Sequence, residues 1–309
     1  MIGYRRSDGR YGIRNLAVVV YLVECARHVV DKIVSPFDER QVHAIGFSGC
    51  FRNEYSAAMM QRLCTHPNVG AVLLVSLGCE GFDRARLEQH VAASGRPVHT
   101  LVIQESGGSL ATIAAGRAWI TEQAGLLEAV QGESIGLEHL VVGTICGGSD
   151  STSGLTANPA VGSAFDAIIT AGGTGIFEET GELIGCEAPL RRRAITEALG
   201  EELDAAVRKA SAYYDAMGQP SFAPGNADGG ITTIEEKSLG AYLKSGTSPI
   251  SGLLKPTELA PTPGLYLLDV VPDGDLRWGF PNISDNAEIG ELMACGAQVI
   301  VFTTGRGSV

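Results

Sequence analysis

The residues from Thr144 to Pro159 hold a thiol, a carboxylate, an amide and several hydroxyls between an apolar run and a helix-like segment. The apolar run Leu140-Val141-Val142 reads as a buried strand, and Ala160 to Ala171 as a helix. A plain strand-to-helix connection needs only a few residues. This one is long and spaced by Gly147, Gly148 and Gly154, which let a ligand approach the backbone. It is therefore the first candidate for an active-site loop, with Cys146, Ser149, Asp150 and Asn158 as its chemistry-bearing residues.

Similar residues follow other predicted strands. Ser48-Gly49-Cys50 follows one, Leu77-Gly78-Cys79-Glu80 another, and Gln104 to Gly108 a third. Later come Glu178-Glu179-Thr180-Gly181-Glu182 and Thr304-Gly305-Arg306-Gly307-Ser308. In open α/β sheets, ligands bind beyond the carboxyl ends of the strands, so these loops are read as parts of a site. A further constellation runs from Pro224 to Ser238. There a glycine-rich turn leads into a helix whose first turns carry Thr232, Thr233, Glu236 and Lys237. Free N–H groups at a helix start favour an anion such as a carboxylate, and Lys237 adds positive charge. The bland reading of this segment is a capped helix with exposed charges, and that of Glu178, Glu179 and Glu182 a solvated helix start.

The elements that must position these groups alternate. Strands are predicted at 16–22, 42–47, 69–76 and 97–103, with helices at 25–34, 54–63, 83–93 and 110–130. After a break at 131–138 come strands at 139–145, 174–177, 265–271 and 298–303. Helices are predicted at 160–171, 190–217, 233–243 and 287–295, and a Pro/Gly loop at 219–230. Short apolar strands between helices indicate parallel sheets covered on both faces. The fold class is α/β: two Rossmann-like three-layer domains with mainly parallel sheets, 1–135 and 136–309.

Composition narrows the partners. A net charge of −12 argues against nucleic acid or an anionic membrane surface. No apolar run approaches a membrane span, and Met1 to Asn15 lacks a signal-peptide core. Seven cysteines without a CxxC pair fit a reducing cytoplasm better than a disulfide framework. The glycines match neither a dinucleotide fingerprint nor a phosphate loop, there is no GxSxG elbow, and no two histidines have metal-ligand spacing.

Several stretches together resemble the altronate/galactarate dehydratase family, sugar-acid hydro-lyases. They are Gly3 to Asn15, His66 to Val72, Leu77 to Glu80, Cys146 to Gly162, Glu179 to Glu182, Gly185-Cys186-Glu187, Pro224 to Gly240, and Phe302 to Ser308. The resemblance implies dehydration of an altronate- or galactarate-like acid to a 2-keto-3-deoxy acid, with a divalent metal, Fe2+ or Mn2+. It extends to a sulfolactate-type sulfo-lyase. The family's histidine four residues before the Gly-Cys cysteine is replaced by Gly46. Family chains continue past the Gly-Arg-Gly-Ser motif, so a C-terminal domain incomplete at its end is expected, and a non-catalytic sugar-acid-binding subunit is the alternative. A separate small subunit and a homo-oligomer are the expected partners.

Elimination from a 2,3-dihydroxy acid needs a base for the α-proton, a cation for the enediolate and an acid for the leaving hydroxyl. Cys50, Cys79, Glu80, Cys146 and Glu179 are the expected metal ligands, a thiolate and carboxylate set that suits iron or manganese. Ser149, Asp150, Asn158, Thr232, Thr233 and Arg306 are expected on the substrate. Lys237, Glu182 and Glu236 are the candidates for proton transfer.

Overall fold

A computed structural model describes residues 1–51, 53–218, 221–222, 224–274 and 284–307. The chain forms two compact units, Met1–Ile135 and Gly136–Val309.

In the first unit the strands β1 (Ile2–Arg5) and β2 (Tyr11–Gly12) form an antiparallel pair, followed by β3 (Leu16–Tyr21) and helix α1 (Glu24–Val34). Then come β4 (Val42–Gly46), α2 (Glu54–Cys64), β5 (Val69–Ser76), α3 (Arg84–Ala93), β6 (Val98–Val102) and α4 (Ser109–Ala129). The last strand, β7 (Glu133–Ser134), returns antiparallel to β1. The main sheet is fully parallel, in the order β4-β3-β5-β6. Its side chains sort by the two-residue period of a strand. Ala17, Val19, Ala71, Leu73 and Val75 pack with Val30 and Ile33 of α1 and Ile120 of α4. Val18, Val20, Val72 and Leu74 pack with Met60 and Cys64 of α2 and with Leu87 and Val91 of α3. That is a three-layer unit, and it explains why these strands read as continuous apolar runs.

Two of the motif stretches turn out to be partners of each other. Arg6 Nε donates to the Pro67 carbonyl at 2.6 Å and its Nη1 to Asn15 Oδ1 at 2.9 Å. Arg10 Nη2 reaches the Thr65 carbonyl at 3.0 Å, and Asn68 Oδ1 accepts from the Ile13 N–H at 2.9 Å. Buried Arg96 caps the carbonyls of Thr65, His66 and Val69. The arginine-rich start of the chain therefore satisfies the backbone of the 65–69 turn, which would otherwise be buried without donors.

The second unit runs β8 (Val141–Cys146), α5 (Asn158–Thr170), β9 (Thr174–Phe177), α6 (Glu187–Arg193), α7 (Glu197–Ala216), α8 (Pro224–Asp228) and α9 (Ile234–Leu243). It ends with β10 (Ile250–Leu254), β11 (Gly264–Leu268), α10 (Asp285–Ala294) and β12 (Val299–Thr303). All strand pairs are parallel, in the order β10-β11-β9-β8-β12. One core cluster joins Ile145, Ile176, Tyr266 and Leu268 of the sheet to Leu292 of α10. On α5, Phe165 is fully buried, and a Cβ at Gly175 of β9 would lie 2.8 Å from its ring.

Several sequence expectations need correction. The single helix over 190–217 is two, because the chain breaks at Ala194, which bridges to Ile250. The Pro/Gly loop contains the short helix α8; its residues 219, 220 and 223 lie outside the described ones. β10 was not predicted: Ser251, Gly252 and the flanking prolines weaken its strand signature. Among the described residues no helix is long and apolar enough to cross a membrane.

Candidate active site

In the second unit the strand order reverses at β8, with β9 on one side and β12 on the other. The loops that leave these three strands supply the site, as expected at a topological switch point. After β8 the chain does not enter α5 directly. It first makes a π-helical turn over Ser153–Ala157, a form common at functional sites.

Cys146 is buried at the end of β8. Its Sγ lies 3.3 Å from Ser149 Oγ and 3.4 Å from Glu182 Oε2, and its N–H donates to Glu179 Oε1 at 3.2 Å. Among the described residues, the thiol and the carboxylates of Glu179 and Glu182 are the ligand-type side chains that converge closely enough to hold one metal ion. Burial first, then the Glu182 carboxylate, pushes the Cys146 thiol above its ordinary range, and Lys244 counters in part. The group is a thiol at neutral pH unless a cation displaces its proton.

Glu179 sits in the left-handed region, with φ of 81° and ψ of 50°. That conformation is costly for a residue with a Cβ, and such strain collects at functional sites. Its side chain is buried and forms an ion pair with Lys244, the residue after α9, which is itself completely buried. Glu182 is paired through Oε1 with Lys237 Nζ at 2.6 Å, and Lys237 also donates to the Ser221 carbonyl at 2.9 Å. Two acids and two lysines are thus matched one to one around the thiol. Lys244 escaped the sequence reading because a lysine at a helix end ordinarily complements the dipole in solvent. Its only signal is the small and apolar run Gly240-Ala241-Tyr242-Leu243 before it.

A cavity of about 230 Å³ opens on this group, lined by Cys146, Ser149, Asp150, Glu182, Glu236 and Lys237 among others. Two glycines make room for Asp150: a Cβ at Gly229 would lie 2.8 Å from the Asp150 Cβ, and one at Gly305 would overlap its carboxylate. Asp150 Oδ1 accepts from the Ser153 N–H and from Thr152 Oγ1, both at 2.8 Å. The Ser153 backbone bond is the main reason its carboxyl is held below the usual range.

The other expected site residues divide. Thr233 caps α9 by accepting from the Glu236 N–H at 3.2 Å. Glu236 Oε2 accepts from Thr232 N at 2.7 Å and Thr232 Oγ1 at 2.8 Å, bonds that hold its carboxyl below the usual range. Thr232, Thr233 and Glu236 therefore form a helix cap at the cavity rim. Asn158 is buried with both ends used, accepting from Thr303 Oγ1 at 2.7 Å and donating to the Gly240 carbonyl at 2.9 Å, so it ties α5 to β12 and α9. Arg306 donates to the Gly225 carbonyl at 2.5 Å and acts electrostatically on Asp150; the neighbouring Ser308 is outside the described residues.

Cys50, Cys79 and Glu80 belong to the first unit. There the loops after β4 and β5 meet, with Gly81 N–H donating to the Cys50 carbonyl at 2.8 Å. Both cysteines are exposed. Glu80 accepts from Ser76 Oγ at 2.5 Å and Gly78 N–H at 2.8 Å; burial pushes its carboxyl up, but these bonds outweigh it and hold the carboxyl below the usual range. Among the described residues of their unit, the three expected ligands form no metal-binding group.

The family described as D-galactarate/altronate dehydratase, C-terminal, matches residues 137–309, and the second domain of D-galactarate dehydratase/altronate hydrolase matches residues 3–127. The chain is 34% identical to an altronate dehydratase of Bacillus subtilis, over 99% of this chain and 62% of the relative. It is 31% identical to the (2R)-sulfolactate sulfo-lyase subunit beta of Chromohalobacter salexigens, over 100% of this chain and 78% of the relative. It is 30% identical to a galactarate dehydratase (L-threo-forming) of Escherichia coli, over 99% of this chain and 61% of the relative. The chain thus spans about three-fifths of the length of the curated dehydratases it matches.

Proposed function

We propose, from the premise that the chain belongs to the D-galactarate/altronate dehydratase family, that it carries the catalytic centre of a lyase that dehydrates an altronate- or galactarate-like sugar acid to a 2-keto-3-deoxy acid. The observation that carries this reading is the thiol–carboxylate group Cys146, Glu179 and Glu182, opening on a cavity of about 230 Å³. These residues would hold a divalent metal, and the mixed sulfur and oxygen donors fit Fe2+ or Mn2+. Bound there, the metal would supply Lewis-acid stabilisation of the enediolate.

The chain's own residues supply the proton transfers. Glu182 would face the metal through Oε2 and take the α-proton through Oε1, leaving an enediolate; its electrons then form the C=C bond as the β C–O bond breaks, and Lys237 protonates the departing hydroxyl. The enol then ketonises. Glu182 and Lys237 are adjacent, at 2.6 Å, and both face the cavity, so the proton taken and the proton given are handled by one ion pair. Lys244 does not line the cavity; it neutralises Glu179 from behind and is a positioning residue.

A second reading is favoured by one observation: this chain covers 78% of the sulfo-lyase subunit's length, against 62% and 61% of the two dehydratases named above. Sulfite would then leave in place of hydroxide. An anaerobic assay with Fe2+ or Mn2+, offering altronate, galactarate and sulfolactate in parallel, separates the readings by product: 2-keto-3-deoxy acid for the first, sulfite with pyruvate for the second. Absence of both products from metal-loaded protein would overturn the proposal. A cytoplasmic location, a separate small subunit and a homo-oligomer belong to the same proposal.

A further inference from the structure

A second cavity in the C-terminal unit, of about 150 Å³, borders the thiol–carboxylate group: Glu179 and Glu182 line it, together with Glu178, Tyr214, Asp285 and Glu288. Glu178 is 1% exposed, and neither of its carboxyl oxygens has a hydrogen-bond donor. Its close polar neighbour is another carboxyl, that of Glu288, which is 5% exposed. Among the described residues, Glu178, Asp285 and Glu288 have no ion pair with a lysine or arginine. This separates them from Glu179 and Glu182, which have Lys244 and Lys237. Two abutting buried carboxyls without a donor are costly unless something positive joins them. A single shared proton quiets one charge; a cation satisfies both groups.

We propose that this cavity is a second cation site, in which Glu178 and Glu288 hold a hydrated divalent cation of the magnesium class, next to the Cys146–Glu179–Glu182 group but with ligands of its own. The donors are all oxygen, the set preferred by hard cations, with neither thiol nor imidazole among them. Magnesium is commonly held by one or two carboxylates while keeping several of its waters. The cavity has room for those waters. Half-buried Asp285 supplies a third carboxylate within reach of that water shell. The site does not depend on the proposed activity: its ion would hold α10 to the end of β9, where both ligands originate.

The test is calorimetric titration of the metal-stripped full chain with magnesium chloride, together with its thermal unfolding with and without magnesium. Wild type is expected to bind one ion and to unfold at higher temperature with it. Cys146→Ser is expected to keep both effects. Glu288→Gln is expected to bind at least tenfold more weakly and to lose the thermal shift, and Asp285→Asn to weaken binding by a smaller factor. If Glu288→Gln fails to fold, Asp285→Asn with the wild-type thermal shift decides. No magnesium binding to folded wild type at millimolar concentration would mean a shared proton only, and would overturn the proposal. So would loss of binding in Cys146→Ser, or unchanged binding in the carboxylate variants. Because magnesium binding is read without substrate, its failure is distinguishable from failure of the proposed lyase activity.

Discussion

Replacing Lys244 by methionine isolates the part of the site that sequence reading missed. Lys244 is completely buried, and its ammonium pairs with Glu179, 7% exposed. Methionine fills nearly the same volume, so the packing change is small and the lost charge dominates. Removing one partner of a buried pair leaves the other uncompensated, at a cost of about 3–5 kcal/mol. Each kcal/mol lowers the melting temperature by roughly 2–4 °C in a unit of this size, so a fall of about 10 °C is expected for Lys244→Met. The double variant Lys244→Met/Glu179→Gln removes the orphaned charge as well, while the amide oxygen that replaces the carboxylate can still accept from the Cys146 N–H. It is expected to recover about 2 kcal/mol of the loss. Thermal and urea unfolding of wild type, the two single variants and the double variant complete the cycle. If Lys244→Met melts with wild type, or the double variant is no more stable than Lys244→Met, the ion pair is not what stabilises this part of the unit.

Lys237→Gln is expected to abolish turnover while leaving iron or manganese bound, whereas Glu182→Gln should lose both; metal content by elemental analysis beside product assays separates the two. Burial, with Glu182 and Asp285 nearby, lifts the Glu288 carboxyl from 4.5 to about 7. A lift of that size is worth about 3 kcal/mol. Because the folded-state value is raised, this contribution is fully present below about pH 4.5 and lost as pH climbs through 7. In chelator, Glu288→Gln should therefore match wild type near pH 4.5 and exceed it at pH 8, as read by urea midpoints; a constant difference across that range would contradict the assignment. Gly229→Ala should push its new methyl against the Asp150 Cβ, 2.8 Å away, and lower substrate affinity with less than a tenfold change in the affinity for manganese.

What the sequence disclosed follows from which forces act locally. The strand and helix alternation of the first unit was legible because buried parallel strands such as Val69–Ser76 are apolar on both faces. The Cys146 loop and the Glu179–Glu182 run were legible because polar groups at strand ends have few structural excuses. Which residues converge was not legible. Cys50 and Cys79 each follow a glycine and Cys146 precedes two, so all three sit in glycine-bearing strand-end loops, yet Cys50 and Cys79 are exposed and Cys146 is buried, while Glu182, expected as a base, also stands 3.4 Å from the thiol. Thr232, Thr233 and Glu236 looked like a substrate anchor and equally like a cap, since both uses exploit free N–H groups at a helix start. Lys244 and Glu288 were hidden because long-range pairing, not local pattern, buries them.

The run Glu178-Glu179-Thr180 shows how neighbouring carboxylates are given different partners. Past the end of β9 an extended strand would continue to alternate its side chains across the sheet. Instead Glu179 takes a left-handed conformation, which glycine would adopt without cost. Such strain, of order 1–3 kcal/mol, persists only where surrounding contacts fix it. Those contacts are visible: Lys244 holds the Glu179 carboxylate, the Cys146 N–H donates to it, and Thr180 Oγ1 donates to the Leu268 carbonyl at 3.3 Å. The kink sends Glu179 to the thiol and leaves Glu178 beside Glu288. A glycine at this position would relieve the backbone but orphan Lys244, so the strain is the consequence of placing a carboxylate there. The thiol–carboxylate group and the acidic cavity are therefore set by one backbone event, and a change that lets Glu179 relax should disturb both.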